Sequence, residues 1–476
     1  VFSIFISTRR GWQKILFTAL LIVIMVSPPF VSSIAYIQLY GRRGWITYNL
    51  LHLNFMPYNQ WGIIAMQTIS FVPINALMLN GLLAKIDRSV INSARDLGAK
   101  AKDILKDVVL PALRPGIIVC LLLTFVRSLA DYGTPAIIGG RFRTLASQIY
   151  IQFMGAGNID KAAAMNMFLL VPSLILFFIY RHYMKKMNSS SSSRRQDAHL
   201  NLPLHKGGII GWLIIGIGIL YSIIMTLQYA SIFLSAINKT GSKLFTFTTE
   251  YIEKVFTYNA STLYRSLLYA FIVAIIGSLF AIIFSYYVER RKVRFGSVFD
   301  CIATLPYMIP GTCFGIGYIL AFNSGPLKMT GTALILIINM LFKQIPTTTK
   351  MCTASLSQIS YAQENSARDL GAGRLAVIKD VILPGMRPAM LTCFIYNFTS
   401  SMTTAGAILF LVAPKTLLAV FKLFDATYTG EYGVASVIAS LIIIVVLLVE
   451  GLVFLLTSYL EKRNVSGTGT YQKELW

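Results

Sequence analysis

Residues 92–115 read NSARDLGAKAKDILKDVVLPALRP, and residues 365–388 read NSARDLGAGRLAVIKDVILPGMRP. Fifteen of these 24 positions are identical at an offset of 273, without a gap. The register extends upstream, pairing Pro73 with Pro346, Met78 with Met351 and Leu83 with Leu356. A repeat of this kind predicts a duplicated structural unit. In the first copy, Asn92 to about Asp107 has the composition of a short polar helix, and Gly98 permits a close approach or a sharp bend there. Pro111 and Pro115 are then expected to limit helix continuation as the chain enters the next apolar run. The result is a rigid polar protrusion that occurs twice, suited to docking a two-fold symmetric partner.

Outside the repeat, apolar runs recur from end to end. Hydrophobic residues make up 55% of the 476 positions and charged residues 13%, against about 25% in ordinary globular chains. Most of the chain therefore belongs in a bilayer. The formal net charge of +23 sits in short clusters between apolar runs, such as Lys100, Lys102 and Lys106, or Arg290, Arg291, Lys292 and Arg294. That distribution fits inside-orienting loops rather than a nucleic-acid surface, so no nucleic-acid partner is expected. Cys120, Cys301, Cys313, Cys352 and Cys393 lie in or beside apolar runs and read as small packing residues. No histidine pair has ligand spacing, no metal site is assigned, and no phosphate-binding Gly-rich lysine motif is present.

At about 20 apolar residues per span, ten helices are expected: 14–39, 60–84, 115–137, 162–182, 208–232, 262–288, 298–322, 330–348, 388–411 and 433–459. The fold class is an all-α integral membrane protein. Residues 1–183 and 207–460 are the two repeats, 184–206 a Ser-rich basic linker and 461–476 a tail. Loops carrying Lys100, Arg195, Arg291 and Lys462 go inside; those near 41–59, 138–161, 234–261 and 412–432 go outside. Both copies of the repeated segment then face the same side, as parallel repeats about an axis along the membrane normal. VFSIFISTRR at the start is similar to residues 281–292, AIIFSYYVERRK. That match predicts that about 75 residues and nearly two helices precede this sequence, giving twelve spans in the intact protein.

The repeated segment carries a family resemblance. A Glu-Ala-Ala triplet, three residues, Gly, nine residues, then Ile-x-Leu-Pro marks permeases of binding-protein-dependent ABC importers. The second copy reads Glu364-Asn365-Ser366, Gly371 and Val381-Ile382-Leu383-Pro384; the first reads Ile91-Asn92-Ser93, Gly98 and Val108-Val109-Leu110-Pro111. Both depart at the alanines, and the first lacks the glutamate. The chain resembles two tandem type I importer permease repeats (MetI-like). Residues 127–150 and 405–436 resemble fused ferric-iron permeases, a branch whose relatives also take 2-aminoethylphosphonate or thiamine. The resemblance implies a coupling helix in each copy that sits in a groove of one ATPase subunit. Its residues would be Asn92, Ser93, Ala94, Arg95, Asp96, Gly98, Leu110 and Pro111, then Glu364, Asn365, Ser366, Ala367, Arg368, Asp369, Gly371, Leu383 and Pro384.

Intramembrane ionisable groups are the default pathway candidates. Arg127 and Asp131 lie four residues apart, and their counterparts at the offset are Ser400 and Thr404. A carboxylate there would suit a hard cation; the plainer alternative is an i,i+4 salt bridge. Glu450 faces the same choice between a functional and a packing role. The stretches 132–135 and 400–406 are polar and weaken a helix, and either open it or let helices pack closely. The implied protein is a transport subunit of a bacterial inner membrane without its own ATPase site. ATP and Mg would bind two copies of a partner ATPase. Substrate, ferric iron first among the candidates, would come from a periplasmic or lipid-anchored binding protein. An ion-coupled secondary transporter would need no paired docking loops, and an intramembrane hydrolase would need a catalytic motif that is absent.

Overall fold

Inside a bilayer every backbone amide needs an internal partner, so apolar runs of span length become helices. The computed structural model describes residues 1–8, 11–53, 57–84, 86–189, 209–239, 246–324 and 326–473, and among these the one extended pairing is a bridge between Asn238 and Phe247. The 184–206 linker, from residue 190 on, and the last three residues of the tail lie outside the described residues. The chain packs as two units. One comprises Val1–Glu253, Met308–Cys313 and Leu423–Ala439; the other comprises Lys254–Tyr307, Phe314–Lys422 and Ser440–Trp476.

The first unit contains α1 (Phe2–Thr8), α2 (Trp12–Val26), α3 (Val31–Tyr40), α4 (Gln60–Leu83), α5 (Arg88–Asp96), α6 (Lys102–Ala130), α7 (Gly133–Ile138), α8 (Leu145–Tyr150), α9 (Ile159–Ser189) and α10 (Ile209–Ile237). The second is built around α11 (Ala260–Arg290), α12 (Gly296–Tyr307), α14 (Ala333–Leu356), α15 (Tyr361–Asp369) and α16 (Arg387–Thr403). Helices α13 (Gly311–Phe322) and α17 (Tyr432–Lys473) complete the set used below.

Among the described residues, six helices are long and apolar enough to cross a membrane, or eight if two bent pairs each count as one span. The expected span 14–39 falls in one such pair: Trp12–Val26 and Val31–Leu50 are bent by 107° across Ser27-Pro28-Pro29-Phe30. Two consecutive prolines remove two donors and push Ser27 out of the helical region, where its ψ is 142°. The expected span 298–322 bends by 108° between α12 and α13, at Met308-Ile309-Pro310. By contrast Pro73, Pro172 and Pro346 stay within α4, α9 and α14. The expected span 115–137 starts earlier, at Lys102, and stops at Ala130.

The segments 330–348 and 388–411 do form helices, α14 and α16, but they are not among the strongly apolar ones. Their buried faces carry Gln344, Thr348, Thr349, Asn397 and Ser401. In the orientation that satisfies both ends of its amide, Gln344 donates to Asn397 Oδ1 at 2.9 Å and accepts from Ser401 Oγ at 2.8 Å. Lipid offers no hydrophobic drive between helices, so such bonds and close packing hold α11, α14 and α16 together. The duplication is visible at this level. Ser3 Oγ donates to the Ala76 carbonyl at 3.0 Å, and Ser285 Oγ donates to the Thr349 carbonyl at 2.9 Å. Ala76 and Thr349 are themselves a pair at the 273 offset, so the likeness of residues 1–10 to 281–292 extends to a shared hydrogen bond.

Candidate functional site

The two repeated segments share a capped helix with the same bounds at the 273 offset and the same glycine end. Helix α5 starts at Asp87, whose carboxylate accepts from the Ser89 amide at 2.8 Å; α15 starts at Ser360, whose hydroxyl accepts from the Ala362 amide at 3.2 Å. Each supplies an orphan amide of the first turn with a partner. Those hydrogen bonds hold the exposed Asp87 carboxyl below its ordinary range. At the other end the glycines sit in the left-handed region, Gly98 at φ 83° and Gly371 at φ 84°. Gly98 and Ala99 amides bond back to the Arg95 and Ala94 carbonyls at 2.8 and 3.0 Å, and Gly371 and Ala372 do the same to Arg368 and Ala367 at 2.8 and 3.0 Å. This is the Schellman helix end, complete with apolar packing, since Ala94 and Ala99 both pack on one cluster of the first unit and Ala367 and Ala372 both pack on one cluster of the second. A Cβ on either glycine would meet nothing within 4 Å, so the bend, and not a close approach, is what requires glycine.

Leu97 and Leu370, each just before its glycine, are 88% and 89% exposed. One large apolar side chain almost free of the fold, at the matching position, forms the tip of each segment. Asn92, Ser93, Asp96, Asn365, Ser366 and Asp369 are exposed beside them, or nearly so, on polar helices. After each tip the chain turns into the next helix through a wide π-helical turn, Leu105–Val109 and Val377–Ile382. Contrary to the sequence expectation, Pro111 and Pro115 do not limit the helix in the first copy: the wide turn absorbs Pro111, Pro115 lies within the helix, and α6 continues to Ala130. In the second copy Leu383–Gly385 is followed by a break at Met386, and α16 restarts at Arg387. Gly385 stands there in place of Ala112.

One of the pairs differs sharply. Ile91 lies buried among Leu83, Ile104, Val109 and Leu113. Its counterpart Glu364 is equally buried, facing Arg290 at 3.2 Å and Arg368 at 3.5 Å. In the first copy Arg95, equivalent to Arg368, has no such carboxylate one turn back, and its Nε has no hydrogen-bond partner among the described residues. Sequence reading treated Arg290 only as an inside-orienting charge; nothing in the local pattern connects it to a glutamate 74 positions away. The N-caps were legible in principle, because Asp87 and Ser360 are both cap-forming residues at the 273 offset.

The four pathway candidates occupy helix ends. Helix α6 stops before Asp131 (ψ 106°) and α16 before Thr404 (ψ 123°), again a pair at the offset. Arg127 and Asp131 form no ion pair. Asp131 accepts from Gln67 Nε2 at 3.0 Å and from the Thr134 amide at 3.1 Å, while Ser128 Oγ donates to Gln67 Oε1 at 2.7 Å. Arg127 is exposed, Ser400 half-buried, and Thr404 donates to the Ser400 carbonyl. The stretch 132–135 both opens the helix and packs closely: a Cβ on Gly133 would lie 2.1 Å from the Phe30 ring. Glu450 Oε1 accepts from Thr399 Oγ1 at 3.0 Å.

Long apolar helices and a duplicated, tightly capped polar protrusion define a multi-pass membrane protein built from two copies of one structural unit. The chain belongs to the binding-protein-dependent transport system inner membrane component family, whose model matches residues 1–189 and 274–465. It is 30% identical over 442 residues to the ferric transport system permease protein FbpB of Actinobacillus pleuropneumoniae, covering 89% of this chain and 63% of that one. It is also 30% identical over 412 residues to a putative ferric transport system permease protein, FbpB 1, of Haemophilus influenzae, covering 82% and 63%. A second Haemophilus influenzae protein, an Fe(3+)-transport system permease, is 23% identical over 95% of this chain and 84% of its own. The chain thus spans 63% of the length of each of the first two relatives. Among solved structures, a bacterial ABC transporter involved in the import of the acidic polysaccharide alginate aligns with 51% of this chain and 95% of its own, at TM-score 0.43 and 17% identity.

Proposed function

We propose that this chain is the membrane permease of an ATP-driven importer and that its substrate is ferric iron. The observation that carries the transport reading is the pair of matching protrusions. Two helices, each capped at both ends and each tipped by an exposed leucine, are rigid handles for a partner that binds twice. In this reading α5 and α15 each seat in one copy of a cytoplasmic ATPase subunit, which binds ATP and Mg. A binding protein, periplasmic or lipid-anchored, delivers substrate to the opposite side. Closure of the ATPases moves the handles and swings the permease between inward-open and outward-open states. The helix ends at Asp131 and Thr404, with Arg127 and Ser400 beside them, are the candidate lining of the pathway. The chain does no covalent chemistry itself. The ferric transport system permeases among its relatives support ferric iron, and a hard cation suits oxygen donors such as the Asp131 carboxylate.

Uptake of radiolabelled ferric iron tests both parts in cells lacking the gene. The full-length gene is restored intact or with Gly98→Asp plus Gly371→Asp. Intact rescue restores uptake, and the double variant does not, at equal membrane abundance. If deletion leaves ferric uptake unchanged in a strain without a second iron importer, the substrate assignment fails. Aminoethylphosphonate and thiamine uptake are then the next assays.

A further inference from the structure

Glu364 and Ile91 hold the same place in the two copies, at 3% and 5% exposure. In the first copy that place is apolar, with Ile4 packed on the same cluster. In the second it is ionic, and Arg290 is its centre. Arg290 ends α11, and its side chain and that of Glu364 are almost wholly buried, Nε 3.2 Å from Oε1. The approach is a charge contact and not an aligned hydrogen bond. The Arg290 fork also donates to the carbonyls of Leu356, at 2.9 Å, and of Ile359. Its guanidinium lies 3.9 Å over the Tyr361 ring, and Arg368 flanks the second carboxylate oxygen at 3.5 Å. One planar cation therefore joins the end of α11, the end of α14 and the first turn of α15.

We propose that Arg290 is a positioning residue and that Glu364 is its internal counter-charge, latching the second docking helix to α11 and not contacting the ATPase. This rests on the docking function proposed above. The two handles are then held by different physics: apolar packing in the first copy, a buried ion pair with backbone bonds in the second. The distinction has a specific signature. Removing one member of a buried pair strands a charge, whereas replacing both by apolar groups of similar volume is tolerated. The first copy, with isoleucine at the same place, shows that an apolar version is compatible with the capped helix.

The test uses the full-length chain co-expressed with the ATPase subunit and reconstituted with the binding protein. Glu364→Ile and Arg290→Met are made singly and together, with Arg290→Lys as the conservative variant and Gly98→Asp plus Gly371→Asp as the docking control. Each single variant is expected to lose roughly tenfold in ATPase co-purification at equal membrane abundance. Each should also consume more ATP per substrate moved, with Arg290→Lys intermediate. The double variant returns to within about threefold of the unmodified protein. Amide exchange over 361–369 follows the same order, faster in the singles and restored in the double, and reads the latch even where capture is lost. A Glu364→Ile defect that the second substitution does not relieve, or an Arg290→Met variant that behaves normally, overturns the proposal and assigns Glu364 to the ATPase surface. Unimpaired capture by the glycine double variant overturns the docking function itself, and the latch proposal with it.

Discussion

A left-handed glycine and an N-cap side chain are single-residue decisions, and here they fix where each protrusion begins and ends. Any residue with a Cβ at φ 83° or 84° is strained, whatever space surrounds it, so Gly98 and Gly371 are required by conformation alone. Asp87 adds a pH dependence that Ser360 cannot. Its carboxyl is held below the ordinary value of 3.8, first by the Ser89 amide and then by the Ser89 hydroxyl. A depressed folded-state pKa contributes stability that is present above the unfolded value and lost as pH falls through the folded one. The start of α5 should therefore fray on acidification below about pH 3.8 while the start of α15 does not. Amide exchange at Ser89 and Ala362 across that range checks it. Asp87→Asn, which caps without titrating, should remove the pH response; persistence of the response in that variant would trace it to some other group.

Among the elements, the Gln67 side chain joins α4 to the far end of α6. Its amide donates to Asp131 Oδ2 and accepts from Ser128 Oγ, so Gln67→Leu deprives a half-buried carboxylate of a donor. The expected loss is about 1–3 kcal/mol in thermal unfolding of the purified protein. In an Asp131→Ala background the same substitution should cost much less, because the group it serves is gone. Equal costs in both backgrounds would mean that Gln67 acts through packing. This network was not legible in the sequence, where Asp131 read most simply as the partner of Arg127 one turn away. Helical spacing sees only neighbours along one helix, and the true partner lies 64 positions away. The bends at Pro28–Pro29 and Pro310 were missed for a related reason: hydropathy integrates over a span and is blind to a donor lost in its middle. The repeated segments' shape was legible because its determinants are local, a cap, a glycine and a Leu-Pro entry, and because the repeat displays them twice.

For the whole molecule, duplication within one chain means that the two handles can diverge, which identical subunits cannot do. They have diverged at Ile91 and Glu364 and at Ala112 and Gly385, while the cap positions, the glycines and the exposed leucines match. Conserving the tips while changing their anchorage argues that both handles engage the same kind of partner surface. If so, each tip holds one ATPase subunit. Native mass spectrometry of the full-length chain with the ATPase should then find two copies bound to the unmodified protein, one to Gly98→Asp or to Gly371→Asp, and none to the double variant. Aspartate at a left-handed position keeps some tolerance for the backbone but sets a charge beside Leu97 or Leu370, at the apolar tip. Loss of both copies with either single variant would mean that the ATPases arrive as a preformed pair needing both handles. Retention of two copies by the double variant would remove the capped protrusions from the docking surface altogether.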